Sequence, residues 1–101
     1  MENNNKMKEQ EALSILENKI INQYKEGFTI RNQEYDCGKY HGEMDLFWVR
    51  NNYRRVYIEI KATHSYKHYI KAKQQFLRAK KCNQADVFIY VTPTFIKRVY
   101  L

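Results

Sequence analysis

Glycine and proline are scarce in this chain, with three glycines and one proline among 101 residues. That excludes collagen-like and low-complexity segments and leaves short turns as the joints between elements. Only two cysteines occur, Cys37 and Cys82. They lie far apart, and no metal-ligand spacing surrounds either, so both read as reduced, inert thiols. No apolar run is long enough to cross a bilayer, and no signal-peptide pattern opens the sequence. The expectation is a cytoplasmic protein, or one in the host cytoplasm if a virus or mobile element encodes it, with no membrane partner. Finally, no Asp or Glu stands between Lys61 and Asp86.

What is present points to a folded, basic domain. Hydrophobic residues make up 44% of the chain, enough for one modest core. The net charge of +7 suits an acidic partner, of which nucleic acid is the commonest. Nine of the aromatic residues are tyrosines, which can pack, stack on bases or rim an interface.

Residues 1–7 read as a disordered polar tail and 8–101 as a single domain. From about Lys8 to Lys25, Ala12, Leu13, Leu16, Ile20 and Tyr24 recur at helical spacing, and Gly27 suits a left-handed cap. Strands follow over Phe28–Tyr35, Glu43–Arg50 and Arg54–Ala62, with Asn51, Asn52 and Tyr53 as a turn. A second helix spans about Tyr66–Lys81, with Tyr69, Ala72, Phe76 and Ala79 as its apolar stripe. Asp86–Thr92 reads as a buried strand, and Phe95–Leu101 as an extra edge strand. The order α-β-β-β-α-β predicts an α/β fold, a central mixed sheet flanked by helices.

The segment "GEMDLFWVRNNYRRVYIEIKA" places three charges in otherwise strand-like sequence. Side chains alternate along a strand, so Glu59 and Lys61 share a face. If Arg50 pairs with Arg54 around a three-residue turn, Asp45 stands opposite Glu59, with Cβ atoms roughly 5 Å apart. Like charges so placed destabilise a sheet. A divalent cation between them reverses the sign, and hard oxygen donors suit Mg²⁺ or Mn²⁺. A metal-bound water can attack a phosphoryl group, and Lys61 could orient it or neutralise developing charge. The plain alternative pairs both carboxylates with surface cations.

These residues resemble the PD-(D/E)XK nuclease superfamily. Asp45 is followed fourteen positions later (45 to 59) by Glu59-Ile60-Lys61. The flanking "GEMDL" and "YIEIKA" are similar to segments of small members, including archaeal Holliday junction resolvases and related endonucleases. The likeness covers roughly residues 8 to 92, with Met44 where the family often has proline. It implies a restriction-endonuclease-like core and a Mg²⁺-dependent endodeoxyribonuclease needing no small-molecule cofactor. Asp45 and Glu59 would be metal ligands, the Ile60 carbonyl a third, and Lys61 the catalytic lysine. Members often add a glutamate on the first helix, for which Glu9 is the candidate and Glu11 the rival. Several place a glutamine on the following helix, where Gln74 and Gln75 fall.

Lys67, Lys71, Gln74, Arg78 and Lys81 recur at spacings of four, three, four and three. They form one positive helical stripe suited to phosphate contacts. Lys73 and Lys80 widen it, and Arg54 and Arg55 add charge at the hairpin tip. His64, just past Lys61, is a further candidate for a phosphate contact. His41 and His68 lack zinc spacing and read as loop or phosphate-contacting residues. Tyr66 and Tyr69 could stack on bases.

The expected function is structure-specific cleavage of branched or duplex DNA, in the manner of a junction resolvase acting in DNA recombination. Symmetric cuts would require a homodimer, for which Phe95, Tyr100 and Leu101 could supply an interface. The alternatives are a non-catalytic nucleic-acid-binding module on a nuclease-like fold and a basic protein that binds an acidic protein partner.

Overall fold

The computed structural model describes residues 3–19, 22, 27–94 and 96–101, the side chains of residues 3–9 and Ala12 excepted. Its elements are α1 (Asn3–Lys19), β1 (Phe28–Asp36), β2 (His41–Val49), β3 (Arg55–Ile60), α2 (Tyr66–Lys81), β4 (Val87–Val91) and β5 (Ile96–Arg98). The fold is therefore α/β, with the expected order and an edge strand. At the N-terminus α1 begins at Asn3, inside the polar stretch read as a tail. Ile20 and Tyr24, expected to extend this helix, and Phe95 lie outside the described residues.

A five-stranded sheet runs in the order β1-β2-β3-β4-β5. β3 and β4 are parallel and the other pairs antiparallel. α2 supplies the crossover that parallel neighbours need. It starts at Ser65, whose extended backbone and hydroxyl cap the helix by accepting the His68 amide at 3.1 Å. It ends where Asn83 turns left-handed (φ 52°) and the Gln84 amide reaches back to the Ala79 carbonyl at 3.0 Å.

Each face of the sheet carries its own core. Leu13 of α1 packs with Leu46, Trp48, Val56, Ile58, Ile60, Val87 and Val91 on one face. On the other, Ala72, Phe76 and Ala79 of α2 pack with Tyr57, Phe88, Tyr90, Met44 and Tyr35. α1 is also pinned by polar contacts: Glu17 accepts from Thr29 at 3.1 Å and pairs with Arg31.

The β2–β3 turn takes the odd length required above. Arg50 N–H donates to Arg54 O at 2.9 Å, Tyr53 N–H to Arg50 O at 2.9 Å, and Tyr53 is left-handed (φ 62°). A three-residue loop closed by a left-handed residue is a standard hairpin solution. The register follows: Val49 pairs with Arg55, Phe47 with Tyr57 and Leu46 with Ile58.

One irregularity shapes the site. A strand should keep Met44 and Leu46 on one face, yet Met44 joins the α2-side core and Leu46 the α1-side core. The ribbon turns over between them, at Asp45. On β1 the facing residue, Asn32, is left-handed (φ 53°), and the pairing passes from Arg31↔Leu46 to Gln33↔Met44. Beyond this point the β1–β2 hairpin curls over α2 and is cross-linked to it. Cys37 and Cys82 form a disulfide with Cα atoms 5.7 Å apart. This corrects the reading of two reduced thiols: the fold closes 45 residues of sequence separation that gave no local signal.

Candidate metal and nucleic-acid site

β2 leaves β3 at Asp45. Lys61 N–H points to β4, bonding Val91 O at 2.9 Å, so the amide of the preceding residue, Ile60, faces β2. No main-chain ladder partner of β2 is paired there. The Asp45 carboxylate takes that place, its Oδ2 accepting from Ile60 N–H at 2.9 Å. In a strand a residue's N–H and C=O point to the same neighbour, so the Ile60 carbonyl also faces this fork. A cavity of about 30 Å³ opens beside it, lined by Gln10, Leu13, Asn32, Asp45 and Ile60. That is room for a water molecule.

Glu59 is one residue away on the strand and 2% exposed. Its Oε1 accepts from the Tyr57 hydroxyl at 2.8 Å, and its Oε2 pairs with Lys61 Nζ at 3.2 Å. Burial pushes the Glu59 carboxyl up to about 7. The nearby Asp45 charge adds to the rise, and Lys61 and the Tyr57 hydrogen bond oppose it. Burial also raises Tyr57, with Glu59 next in effect. Tyr35, again raised mainly by burial, feels both the Arg78 guanidinium and the Glu59 carboxylate.

The structure thus forms two neighbouring groups: Asp45 on the Ile60 amide toward α1, and Glu59 with Lys61 and Tyr57 on the α2 side. The direct pairing of Asp45 with Glu59 expected from the hairpin register is not formed, because the β2–β3 ladder ends at Leu46 and Ile58 and β2 turns over at Asp45. Among the described residues no cluster of three or more His, Cys, Asp or Glu side chains forms a metal group. The oxygen donors at the fork are the Asp45 carboxylate and the Ile60 carbonyl, with the Glu59 carboxylate on the adjacent residue of β3. Hard oxygens of this kind suit a divalent ion, and a cation there would offset the rise that the Asp45 charge imposes on Glu59. The Glu9 side chain lies outside the described residues, though its neighbour Gln10 lines the cavity. Glu11 is exposed.

The predicted stripe on α2 faces solvent along its length: Lys67, Lys71, Gln74, Arg78 and Lys81 are all exposed. Of the two glutamines, Gln74 stays on the stripe, while Gln75 turns inward and its Oε1 is buried without a hydrogen-bond partner. His64 Nδ1 lies 3.3 Å from the Tyr90 hydroxyl, and its ring meets Tyr90 edge-on. His68 Nδ1 donates to Thr63 O at 2.9 Å and so serves the loop. Tyr69 packs on Tyr90, whereas Tyr66 is 78% exposed.

Arg54 is exposed at the hairpin turn, but Arg55 is committed elsewhere. Its guanidinium bonds both Asp86 oxygens, at 3.0 and 3.2 Å, and the Asn83 carbonyl at 2.6 Å. These contacts hold Asp86 below its ordinary range. Arg55 therefore clamps the α2–β4 loop to the start of β3 instead of offering its charge to solvent.

Two features escaped the sequence reading. Tyr57 supports Glu59; its position two residues before Glu59 on the same strand face was the available signal. The hairpin tip at Lys39 and Tyr40 is joined to α2 by the long-range disulfide and by the packing of Tyr40. No known protein family matches this chain, and comparison with curated proteins and with solved structures finds no match.

Proposed function

We infer that this protein is a divalent-metal-dependent DNA endonuclease with a restriction-endonuclease-like core, acting on branched or duplex DNA. The observation that supports the reading is the fork itself: Asp45 bonds the Ile60 amide where β2 parts from β3, and the buried Glu59 carboxylate, paired to Lys61, stands on the adjacent residue of β3. Asp45, Glu59 and the Ile60 carbonyl would hold Mg²⁺ or Mn²⁺, with Glu9 as a further candidate from α1. The ion would supply an activated water and charge stabilisation at a phosphoryl oxygen. Lys61, paired to Glu59, keeps a positive charge at the site for the phosphate. Tyr57 holds the Glu59 carboxylate in one orientation. The exposed α2 stripe binds the phosphate backbone without reading sequence, and Arg54 and His64 extend that contact. A resolvase-like action would need a homodimer; Tyr100, 76% exposed, is available at the C-terminal end for that contact.

The test is cleavage of labelled four-way junction, linear duplex and single-stranded DNA with Mg²⁺ or Mn²⁺. Paired nicks in the junction support a resolvase, and cleavage of every substrate supports a general nuclease. The absence of cleavage with either metal sinks the enzymatic reading.

A second reading is favoured by the closed Glu59–Lys61–Tyr57 cluster, which satisfies itself as a structural ion pair. In that case the protein is a non-catalytic nucleic-acid-binding module. It then binds DNA with unchanged affinity in Asp45→Ala and cleaves nothing.

A further inference from the structure

The tip of the β1–β2 hairpin lies outside the proposed metal site, yet it is held firmly in place. The Cys37–Cys82 disulfide ties it to the C-terminal end of α2, where the basic stripe ends. Two ammonium groups flank the Tyr40 ring: Lys39 Nζ is 5.7 Å and Lys81 Nζ 5.3 Å from its centroid. Lys39 belongs to the hairpin and Lys81 to the stripe. Both are exposed, and neither pairs with a carboxylate among the described residues. Two exposed cations at one ring leave a local positive charge that a nearby anion would neutralise.

Of the hairpin's own carboxylates, Asp36 is engaged in the tip, accepting the Gly38 amide at 2.8 Å. Glu34 pairs across the strands with Glu43, and Asp36 with His41. By strand alternation they occupy the face opposite Tyr35, which packs in the core beneath α2. The hairpin therefore turns Lys39 toward the basic stripe and its acidic face away from it.

We propose that Lys39, Tyr40 and Lys81 form a backbone-phosphate contact that extends the α2 stripe for duplex DNA, and that the Cys37–Cys82 disulfide holds Lys39 in this position. This rests on the nucleic-acid reading of α2. The acidic outer face of the hairpin then bounds the DNA path on one side.

The experiment is fluorescence anisotropy with a short labelled duplex in the absence of divalent metal, over a range of NaCl concentrations. In the oxidised protein, Lys39→Ala lowers the slope of log affinity against log salt by about 0.9, the value for one phosphate contact. Dithiothreitol breaks the S–S bond to two thiols and is itself oxidised to its cyclic disulfide. It produces the same loss in the wild type and no further loss in Lys39→Ala. Lys39 is exposed, so this variant keeps the test separate from folding.

If Lys71→Ala lowers the slope while Lys39→Ala and reduction do not, the proposal fails and the nucleic-acid reading of α2 stands. If the oxidised wild type binds no DNA, both fail.

Discussion

The Asp45 carboxylate occupies the hydrogen-bonding place that the β2 main chain vacates, accepting the Ile60 amide at 2.9 Å. One side chain thus closes the sheet at its fork and supplies a donor to the candidate metal site. The two roles are separable. Asp45→Asn keeps an acceptor for the amide, so stability stays within about 1 kcal/mol of wild type while metal affinity falls about 100-fold or more. Asp45→Ala leaves the Ile60 amide unpaired and costs about 1–3 kcal/mol. Urea unfolding and calorimetric Mn²⁺ titration of both variants check this.

Glu59 gives the fold a pH signature. Its carboxyl is pushed up to about 7 from an ordinary 4.5. Between those values the folded protein holds a proton that the unfolded chain has released. The benefit is therefore full below about 4.5 and is lost as pH rises through about 7. Glu59→Gln removes this dependence. The stability difference between the variant and the wild type should move in the variant's favour by roughly 3 kcal/mol between acid and mildly alkaline pH. Because a metal needs the ionised carboxylate, Mg²⁺ should raise the wild-type melting temperature above pH 7 and have little effect at pH 5.

The Cys37–Cys82 cross-link closes a separation of 45 residues. Loop-entropy reasoning gives about 4 kcal/mol of stabilisation for a loop of this size. Reduction, or Cys37→Ser, should lower unfolding stability by about that amount. Loss of hydrogen-exchange protection should be greatest in the hairpin between Gln33 and Met44. Equal loss across the whole sheet would contradict the assignment of the hairpin as the tethered element.

Arg55 and Lys71 separate structure from binding. Arg55→Ala breaks its contacts to Asp86 and Asn83 and should cost about 1 kcal/mol, a modest sum because the pair is partly exposed. DNA affinity should not change. Lys71→Ala should leave stability unchanged and reduce the salt slope of DNA binding by about 0.9. Reversed results would exchange the two roles.

Much of this arrangement was legible in the sequence, for physical reasons. α2 spans Tyr66–Lys81 as its period implied, because Ser65 caps it and its apolar stripe has a sheet face to bury. The β2–β3 register from Val49 to Leu46 followed from the odd turn, since shifting a strand by one residue exchanges its faces; the expected Asp45–Glu59 pair does not form, because β2 turns over at Asp45. Exposure of the α2 stripe followed from the inward stripe on the same helix. The disulfide was not legible, because it depends on the hairpin curling over α2. That curl depends on the left-handed Asn32 inside a stretch that reads as an uninterrupted strand. Arg55 looked like surface charge because its partners, Asn83 and Asp86, arrive from the far end of α2.

The central claim is that Asp45 and Glu59 hold a metal that cleaves phosphodiester bonds. Its most direct measurement is Mg²⁺-dependent cleavage of labelled DNA, the four-way junction included, by wild type and Glu59→Gln side by side, with DNA affinity measured in Ca²⁺ for both. The account predicts cleavage by the wild type, a loss of at least about 100-fold in Glu59→Gln, and equal affinity for DNA. Equal cleavage by the two proteins, or none by either with DNA affinity intact, would contradict it.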